Sequence, residues 1–92
     1  MLKEAIDTYL AVRRAVGFTL RDEELYLRDF VRFATFREET HVRALTALAW
    51  AEQARSESQR ATRLKVLIRF ARFSHAADPR HEIPPSGVGR LH

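Results

Sequence analysis

The sequence SESQRATRLKVLIRFARFSHAA at residues 56–77 predicts the helix on which the fold depends. Its opening, Ser56-Glu57-Ser58-Gln59, matches a capping box, in which Ser56 caps the first turn and the Gln59 side chain reaches back. We expect the helix to end before Asp78-Pro79, because a residue that precedes proline resists the helical conformation. Apolar side chains cover about 240° of its circumference, which is typical of a central helix with several neighbours. They are Ala61, Leu64, Val66, Leu67, Ile68, Phe70, Ala71 and Phe73.

The remaining polar strip of this helix carries no acidic residue. It holds Thr62, Lys65, Arg69 and Arg72. Like charges three or four residues apart repel, and each such pair destabilises a free helix by about 0.2–0.5 kcal/mol. A phosphate backbone would neutralise these charges, so the strip indicates a nucleic-acid partner. Two other interpretations are open at this point: a tolerated basic surface, or pairing with acids from another helix.

The first predicted helix covers residues 2–16 and ends at Gly17, which suits the left-handed position after a helix. Its apolar side chains follow helical spacing. They are Leu2, Ala5, Ile6, Tyr9, Leu10, Val12 and Val16. Arg13 falls inside this apolar arc. We interpret it as an arginine at the edge of the core, extended toward water or paired with an acid, in preference to a ligand-contacting role.

The second predicted helix has Thr19 as its N-cap and runs to about Arg37. Acidic residues 22–24 in its first turn complement the helix dipole. Apolar residues cover most of its circumference. They are Leu25, Tyr26, Leu27, Phe30, Val31, Phe33, Ala34 and Phe36. The polar strip that remains places three arginines, Arg21, Arg28 and Arg32, on one face.

Residues 38–45 are expected to connect to a short third helix, which Thr46 caps and which continues to about Ala54. No alternating strand pattern lasts beyond a few residues. The sequence therefore predicts an all-α protein, a compact four-helix bundle with an irregular C-terminal tail that contains proline and glycine. The helical domain would occupy residues 1–78 and the tail residues 79–92.

Length and composition limit the class of protein. The 92 residues, 46% hydrophobic and 30% charged, suit one soluble domain. The absence of cysteine excludes disulfides, thiolate nucleophiles and cysteine-ligated zinc. The net charge is +4; residues 46–92 carry eight bases and four acids, whereas residues 1–45 carry eight of each. The basic second half favours a polyanionic partner.

No residue pattern indicates a catalytic or cofactor site. The histidines His41, His75, His81 and His92 are scattered, and the sequence has neither a phosphate-binding glycine loop nor an HExxH motif. We therefore expect no metal ion, no cofactor and no small-molecule substrate. No apolar stretch is long enough to span a membrane, and no signal peptide opens the chain. This predicts a cytoplasmic protein without a membrane partner.

The order of several motifs carries a family resemblance. The first stretch contains Tyr9-Leu10, Arg13-Arg14, Gly17-Phe18-Thr19-Leu20 and Tyr26-Leu27-Arg28-Asp29-Phe30. The second contains Leu45-Thr46, Trp50, Arg63-Leu64-Lys65-Val66-Leu67-Ile68-Arg69-Phe70 and Asp78-Pro79. In this order and spacing, the motifs resemble the opening module of the tyrosine recombinase (phage integrase) family.

The resemblance implies the N-terminal core-binding domain of that family, a SAM-like four-helix bundle whose second and fourth helices face double-stranded DNA. It places Thr19, Arg21, Arg28 and Arg32 on one contact helix, and Arg60, Arg63, Lys65, Arg69 and Arg72 on the other. The family's catalytic domain follows this module, whereas the chain ends at His92. The expectation is a DNA-binding module of a site-specific recombinase that is not an enzyme by itself, with residues 79–92 as a truncated interdomain linker.

Two alternatives accompany this expectation. The first is a helical protein-interaction module whose basic face docks an acidic partner or other recombinase subunits. The second is a small helix-turn-helix regulator. It is disfavoured, because no helix pair joined by a tight glycine-containing turn precedes a polar recognition helix.

Overall fold

The computed structural model describes residues 1–85, and all regular secondary structure in that range is helical. Four helices follow one another: α1 Leu2–Ala15, α2 Arg21–Phe36, α3 Ala44–Glu52 and α4 Glu57–Ala77. The predicted all-α, four-helix fold is confirmed. The last part of the predicted tail, residues 86–92, lies outside the described residues.

The helix α4 is central, as its wide apolar surface predicts. It packs against α1, α2 and α3. Toward α1, Phe70 meets Tyr9 edge to face, with ring centroids 5.5 Å apart. Toward α3, Leu64 and Ile68 form a second apolar cluster with Ala51. Fully burying one large apolar side chain stabilises a fold by about 1.5–3 kcal/mol, and α4 buries Leu64, Val66, Leu67, Ile68 and Phe70.

Both ends of α4 confirm the predicted boundary signals. The Ser56 hydroxyl accepts a hydrogen bond from the Gln59 backbone N–H at 3.1 Å, as an N-cap does. The Gln59 side chain accepts from the Arg55 N–H at 3.3 Å, one residue before the donor that a capping box would use. The helix ends at Ala77, and Asp78, next to Pro79, is extended with φ −147°.

The start of α2 differs from the prediction. Gly17 closes α1 at φ +105°, as expected, but Leu20 then adopts a left-handed φ of 58° and α2 begins at Arg21. No side chain caps α2, so the predicted N-cap at Thr19 is wrong. The left-handed conformation costs about 1–2 kcal/mol for a non-glycine residue. Burial of the Leu20 side chain offsets that cost and fixes the direction in which the chain enters α2.

The helix α3 begins earlier than predicted, at Ala44, and ends at Glu52. Thr46 therefore lies inside the first turn, and its predicted role as N-cap is wrong. Its hydroxyl instead donates a hydrogen bond to the Glu39 carboxylate. This bond ties α3 to the α2–α3 connection, an arrangement that depends on the tertiary fold.

Several apolar residues that helical spacing placed on apolar faces are exposed. They are Val12, Val16, Leu25 and Phe36, of which Phe36 is 90% exposed. Within residues 1–85, packing therefore covers narrower faces of α1 and α2 than the apolar arcs predict. Residues 81–84, which the sequence places in the irregular tail, instead pack against the helical domain. Glu82 N–H donates to the Val42 carbonyl at 2.8 Å, and His81 and Pro84 are buried.

Within residues 1–85, no helix has the length and apolar character that crossing a lipid bilayer requires.

Candidate nucleic-acid interface

The polar strip of α4 is exposed along its length. Thr62, Lys65, Arg69 and Arg72 face solvent, opposite the buried Leu67. Arg69 lies 3.4 Å from the Glu23 carboxylate of α2. Within residues 1–85, neither Lys65 nor Arg72 has a carboxylate at ion-pair distance. Pairing with an acid from another helix therefore accounts for only one of the three cations.

The Glu23–Arg69 pair also brings the first turn of α2 beside the strip of α4. The Arg69 side chain is 45% exposed, and 3.4 Å is long for a hydrogen bond between charged groups. Arg21, two residues before Glu23, is exposed. Arg32 is exposed as well, but it lies eleven residues after Arg21, about 16 Å further along the helix. In the described part of the chain, neither arginine has a carboxylate at ion-pair distance.

Arg28 belongs to a different environment from the other arginines of α2. Its Nη2 lies 2.8 Å from Asp7 of α1 and 3.2 Å from Glu24. The hydrogen bond to Asp7 raises the pKa of Arg28, and the same contact, helped by Lys3, lowers the pKa of Asp7. Arg28 therefore links α1 to α2, and binding DNA would require it to leave two carboxylates.

The Arg63 side chain lies against α3. Its Nη1 donates to the Trp50 carbonyl at 2.9 Å, and its guanidinium lies 4.9 Å from the centre of the Trp50 ring. A cation at this position also complements the negative end of the α3 dipole. Arg60 is half-buried, and its Nε is buried without a hydrogen-bond partner in residues 1–85.

The structure thus divides the residues predicted to contact DNA. Four exposed side chains, Arg21, Arg32, Lys65 and Arg72, carry charges without a carboxylate partner in residues 1–85. Arg69 is exposed and weakly paired. Thr19 is exposed, and its carbonyl accepts a hydrogen bond from Arg14 Nε at 3.0 Å. The remaining three, Arg28, Arg60 and Arg63, lie partly inside the bundle.

The fold also assembles a cluster that the sequence does not reveal. His41, Asp78 and His81 bring potential metal-ligating atoms within 4.8 Å of one another, and His41 Nε2 lies 3.3 Å from Asp78 Oδ2. The residues come from the α2–α3 connection and from the chain beyond α4. Because His41 and Asp78 are 37 positions apart, no local spacing motif could have identified the cluster.

Hydrogen bonds engage His81 and Asp78, two of the three residues in this cluster. Val42 N–H donates to His81 Nδ1 at 3.1 Å, so the neutral ring carries its proton on Nε2 and offers no lone pair there. Both Asp78 oxygens accept from Arg80, which holds the pKa of this carboxyl well below its usual range. Burial, together with nearby His41, lowers the pKa of His81. The contacts of this cluster hold the chain after α4 against the α2–α3 connection. They suit this structural role better than the binding of a metal ion.

Comparison with known proteins identifies a relative. The chain is 43% identical over 88 residues to a protein of Sinorhizobium fredii named "Putative integrase/recombinase". This similarity supports an integrase/recombinase relationship. The match includes 94% of this chain but only 28% of the relative, so the chain spans less than a third of that protein. No family model and no solved structure matches the chain.

Proposed function

We propose that the chain is the DNA-binding module of a site-specific recombinase, the SAM-like core-binding domain of a tyrosine recombinase. It binds double-stranded DNA, mainly through phosphates. The observation that carries the proposal is the acid-free strip of Lys65, Arg69 and Arg72, which is exposed on α4. The similarity to an integrase/recombinase favours DNA over other polyanions.

The proposed contact surface is the α4 strip together with the start of α2. The Glu23–Arg69 contact joins these two regions, and we add the exposed Arg21 of the same α2 turn to the surface. Thr19 lies just before Arg21 and offers an exposed hydroxyl, a group that commonly donates to phosphate oxygens. Arg32 extends the surface along α2. In this proposal Arg28 and Arg63 position the helices, and the half-buried Arg60 is not part of the contact surface.

The proposal assigns no catalysis to the chain itself. The family nucleophile is a tyrosine, and this chain has two. Tyr9 is 1% exposed, and its hydroxyl has no hydrogen-bond partner in residues 1–85, so no base is placed to activate it. Burial also raises the pKa of Tyr9. Tyr26 packs half-buried against the core. Strand cleavage and joining, and contacts with other recombinase subunits, belong to the whole recombinase.

Fluorescence anisotropy with a labelled duplex tests the proposal. We expect a nonspecific dissociation constant of about 10⁻⁴–10⁻⁶ M at physiological salt that weakens steeply as salt increases. The double variant Lys65→Glu/Arg72→Glu should lose this binding. The control Arg37→Glu/Arg43→Glu makes the same change in net charge at exposed positions outside the surface and should retain most of it. Equal loss in both variants would show that the net charge alone explains the effect. Unchanged binding in Lys65→Glu/Arg72→Glu would exclude the α4 strip as the DNA-contact surface.

Docking of an acidic protein is the competing interpretation of the same strip. Amide NMR spectra separate the two. In a titration with duplex DNA, signals from α4 and from the start of α2 should move, whereas polyglutamate at equal charge concentration should move them little. A duplex that shifts neither group, combined with a response to polyglutamate, would favour an acidic protein partner.

A further inference from the structure

The chain after α4 folds back onto the start of α3 and caps it. Ala44 is the first residue of α3, and its N–H donates to the Glu82 carboxylate at 2.7 Å. The N-terminus of a helix has unpaired N–H groups and favours a negative charge. Arg43 Nε lies 3.7 Å from the other Glu82 oxygen. The cap of α3 therefore comes from a residue 38 positions after the one it binds.

Val42, two residues before α3, has both of its backbone groups bonded to the same returning segment. Val42 is 0% exposed. Its carbonyl accepts from the Glu82 N–H at 2.8 Å, and its N–H donates to His81 Nδ1 at 3.1 Å. Because buried backbone groups need hydrogen-bond partners, detaching this segment would leave both groups of Val42 to find water.

Further contacts hold the segment on its other side. His75 of α4 donates through Nδ1 to the His81 carbonyl at 2.7 Å, and Pro84 is fully buried. We call residues 79–85, docked on residues 41–44, the clasp. It joins the end of α4 to the start of α3.

The bond from Val42 depends on the protonation state of His81. An imidazole nitrogen accepts a hydrogen bond only while it carries no proton. A proton on His81 Nδ1 would place two N–H donors against each other at 3.1 Å. A charged ring would therefore lose this partner and favour a position in water.

Charged and titratable groups from each neighbouring element surround His81. Burial, together with the His41 ring 4.9 Å away, lowers the pKa of His81, although Asp78 acts in the opposite direction. The neutral ring is therefore the form that the closed clasp favours. The other groups around it are Met1 and Glu4 of α1, which line the same cleft, His75 of α4, and Arg80 and Glu82 of the clasp itself.

We propose that the clasp opens when His81 takes up a proton, which releases residues 79–85 from residues 41–44 while the helical bundle stays folded. Opening also withdraws Glu82 from the start of α3, so α3 loses its cap in the same step. The main core cluster contains no residue of the clasp, so its packing can persist after release. The proposal does not depend on DNA binding, and its failure would leave the proposed function unchanged.

Amide hydrogen exchange followed by NMR between pH 7.5 and 5 tests the clasp, with EDTA present to exclude metal ions. The reporters are the N–H groups of Val42, Ala44 and Glu82, which the clasp bonds directly. Below pH 6.5, their protection should fall by up to about tenfold for each pH unit, because opening takes up one proton.

Low concentrations of urea distinguish local opening from global unfolding. Local opening exposes little surface, so exchange at Val42 should be faster than at the buried Leu67 of α4 and insensitive to urea. Exchange at Leu67 should accelerate as urea increases. If Val42 and Leu67 share one protection factor and one urea dependence, the clasp opens only when the whole domain unfolds, and the proposal is wrong.

Two histidine variants identify the group that controls the clasp. His81→Asn offers an oxygen to the Val42 N–H but does not titrate, so protection at Val42 should become independent of pH. His41→Asn removes the neighbouring histidine and leaves the acceptor in place, so the decline at Val42 should remain. The reverse pattern would assign control to His41 and overturn the proposal.

The wild-type protein provides a check that needs no substitution. The ring-proton signals of His81 show by NMR when the ring is charged. Protection at Val42 should be lost wherever that ring is charged. Protection that persists at a pH where the His81 ring carries its proton would refute the clasp mechanism, even if His81→Asn failed to form the replacement bond.

Discussion

Arg63 of α4 lies over the indole ring of Trp50 on α3, 4.9 Å from the ring centre, and donates a 2.9 Å hydrogen bond to the Trp50 carbonyl. Trp50 is fully buried, and its indole N–H donates to Asp29 of α2 at 2.8 Å. Through Trp50, the arginine therefore connects three of the four helices. A residue that the family resemblance assigns to DNA contact has a structural role in this protein.

The first prediction concerns the stability that Arg63 contributes. Arg63→Ala removes a charge-assisted hydrogen bond and a cation–π contact, so the free energy of unfolding should fall by about 1–3 kcal/mol. Urea denaturation followed by circular dichroism measures this change. The control Arg72→Ala, on the exposed strip, should stay within about 0.5 kcal/mol of the wild type. Equal losses in both variants would show that Arg63 has no special structural role.

The second prediction contrasts Arg32 and Arg28 on α2. Arg32→Gln should reduce the salt slope of DNA binding by about one and leave the Tm unchanged, because Arg32 has no carboxylate partner in residues 1–85. Arg28→Gln should lower the Tm and leave the slope unchanged, because Arg28 holds Asp7 and Glu24. The salt slope and the Tm are measured for both variants. The reverse pattern would refute the assignment of Arg32 to DNA contact and of Arg28 to a structural role.

The third prediction concerns pH. Burial lowers the pKa of His81 in the folded protein, whereas the unfolded chain has the ordinary value of about 6.5. The unfolded state therefore binds a proton first as the pH falls, and stability present above pH 6.5 is lost below it. Urea unfolding from pH 7.5 to 5 should show this decline. His81→Asn offers an oxygen acceptor to the Val42 N–H but does not titrate, so its decline should be shallower; parallel profiles would contradict the assignment.

The fourth prediction tests two of the three predicted N-caps, Ser56 and Thr19. Ser56→Ala should lower the free energy of unfolding by about 1 kcal/mol, because it removes the acceptor for the Gln59 N–H. Thr19→Ala should have almost no effect, because Thr19 makes no capping bond to α2. Chemical denaturation of both variants provides the measurement. A loss in Thr19→Ala as large as that in Ser56→Ala would mean that Thr19 caps α2 after all.

Local signals in the sequence were sufficient to predict the helices. The cap at Ser56, the stop before Pro79 and the left-handed Gly17 act through backbone atoms a few residues away, so neighbouring residues are enough to define them. The width of the apolar surface on α4 follows from the residue spacing within that helix alone, and it predicted the central position of α4. The predictions that Thr19 and Thr46 are N-caps were wrong. Threonine is a common cap residue, but its actual role depends on the path of the chain around it.

The roles of the arginines were decided only by the tertiary structure. Helical spacing presents Arg28 and Arg32 as equivalent basic residues on one face of α2, and the family resemblance assigns Arg63 and Arg72 alike to DNA contact. Their difference arises because Asp7, Trp50 and other partners come from separate helices, and helical periodicity gives no information about which helix lies opposite a given face. Periodicity therefore determined where the basic surface lies, whereas packing decided which charges remain available to a phosphate backbone.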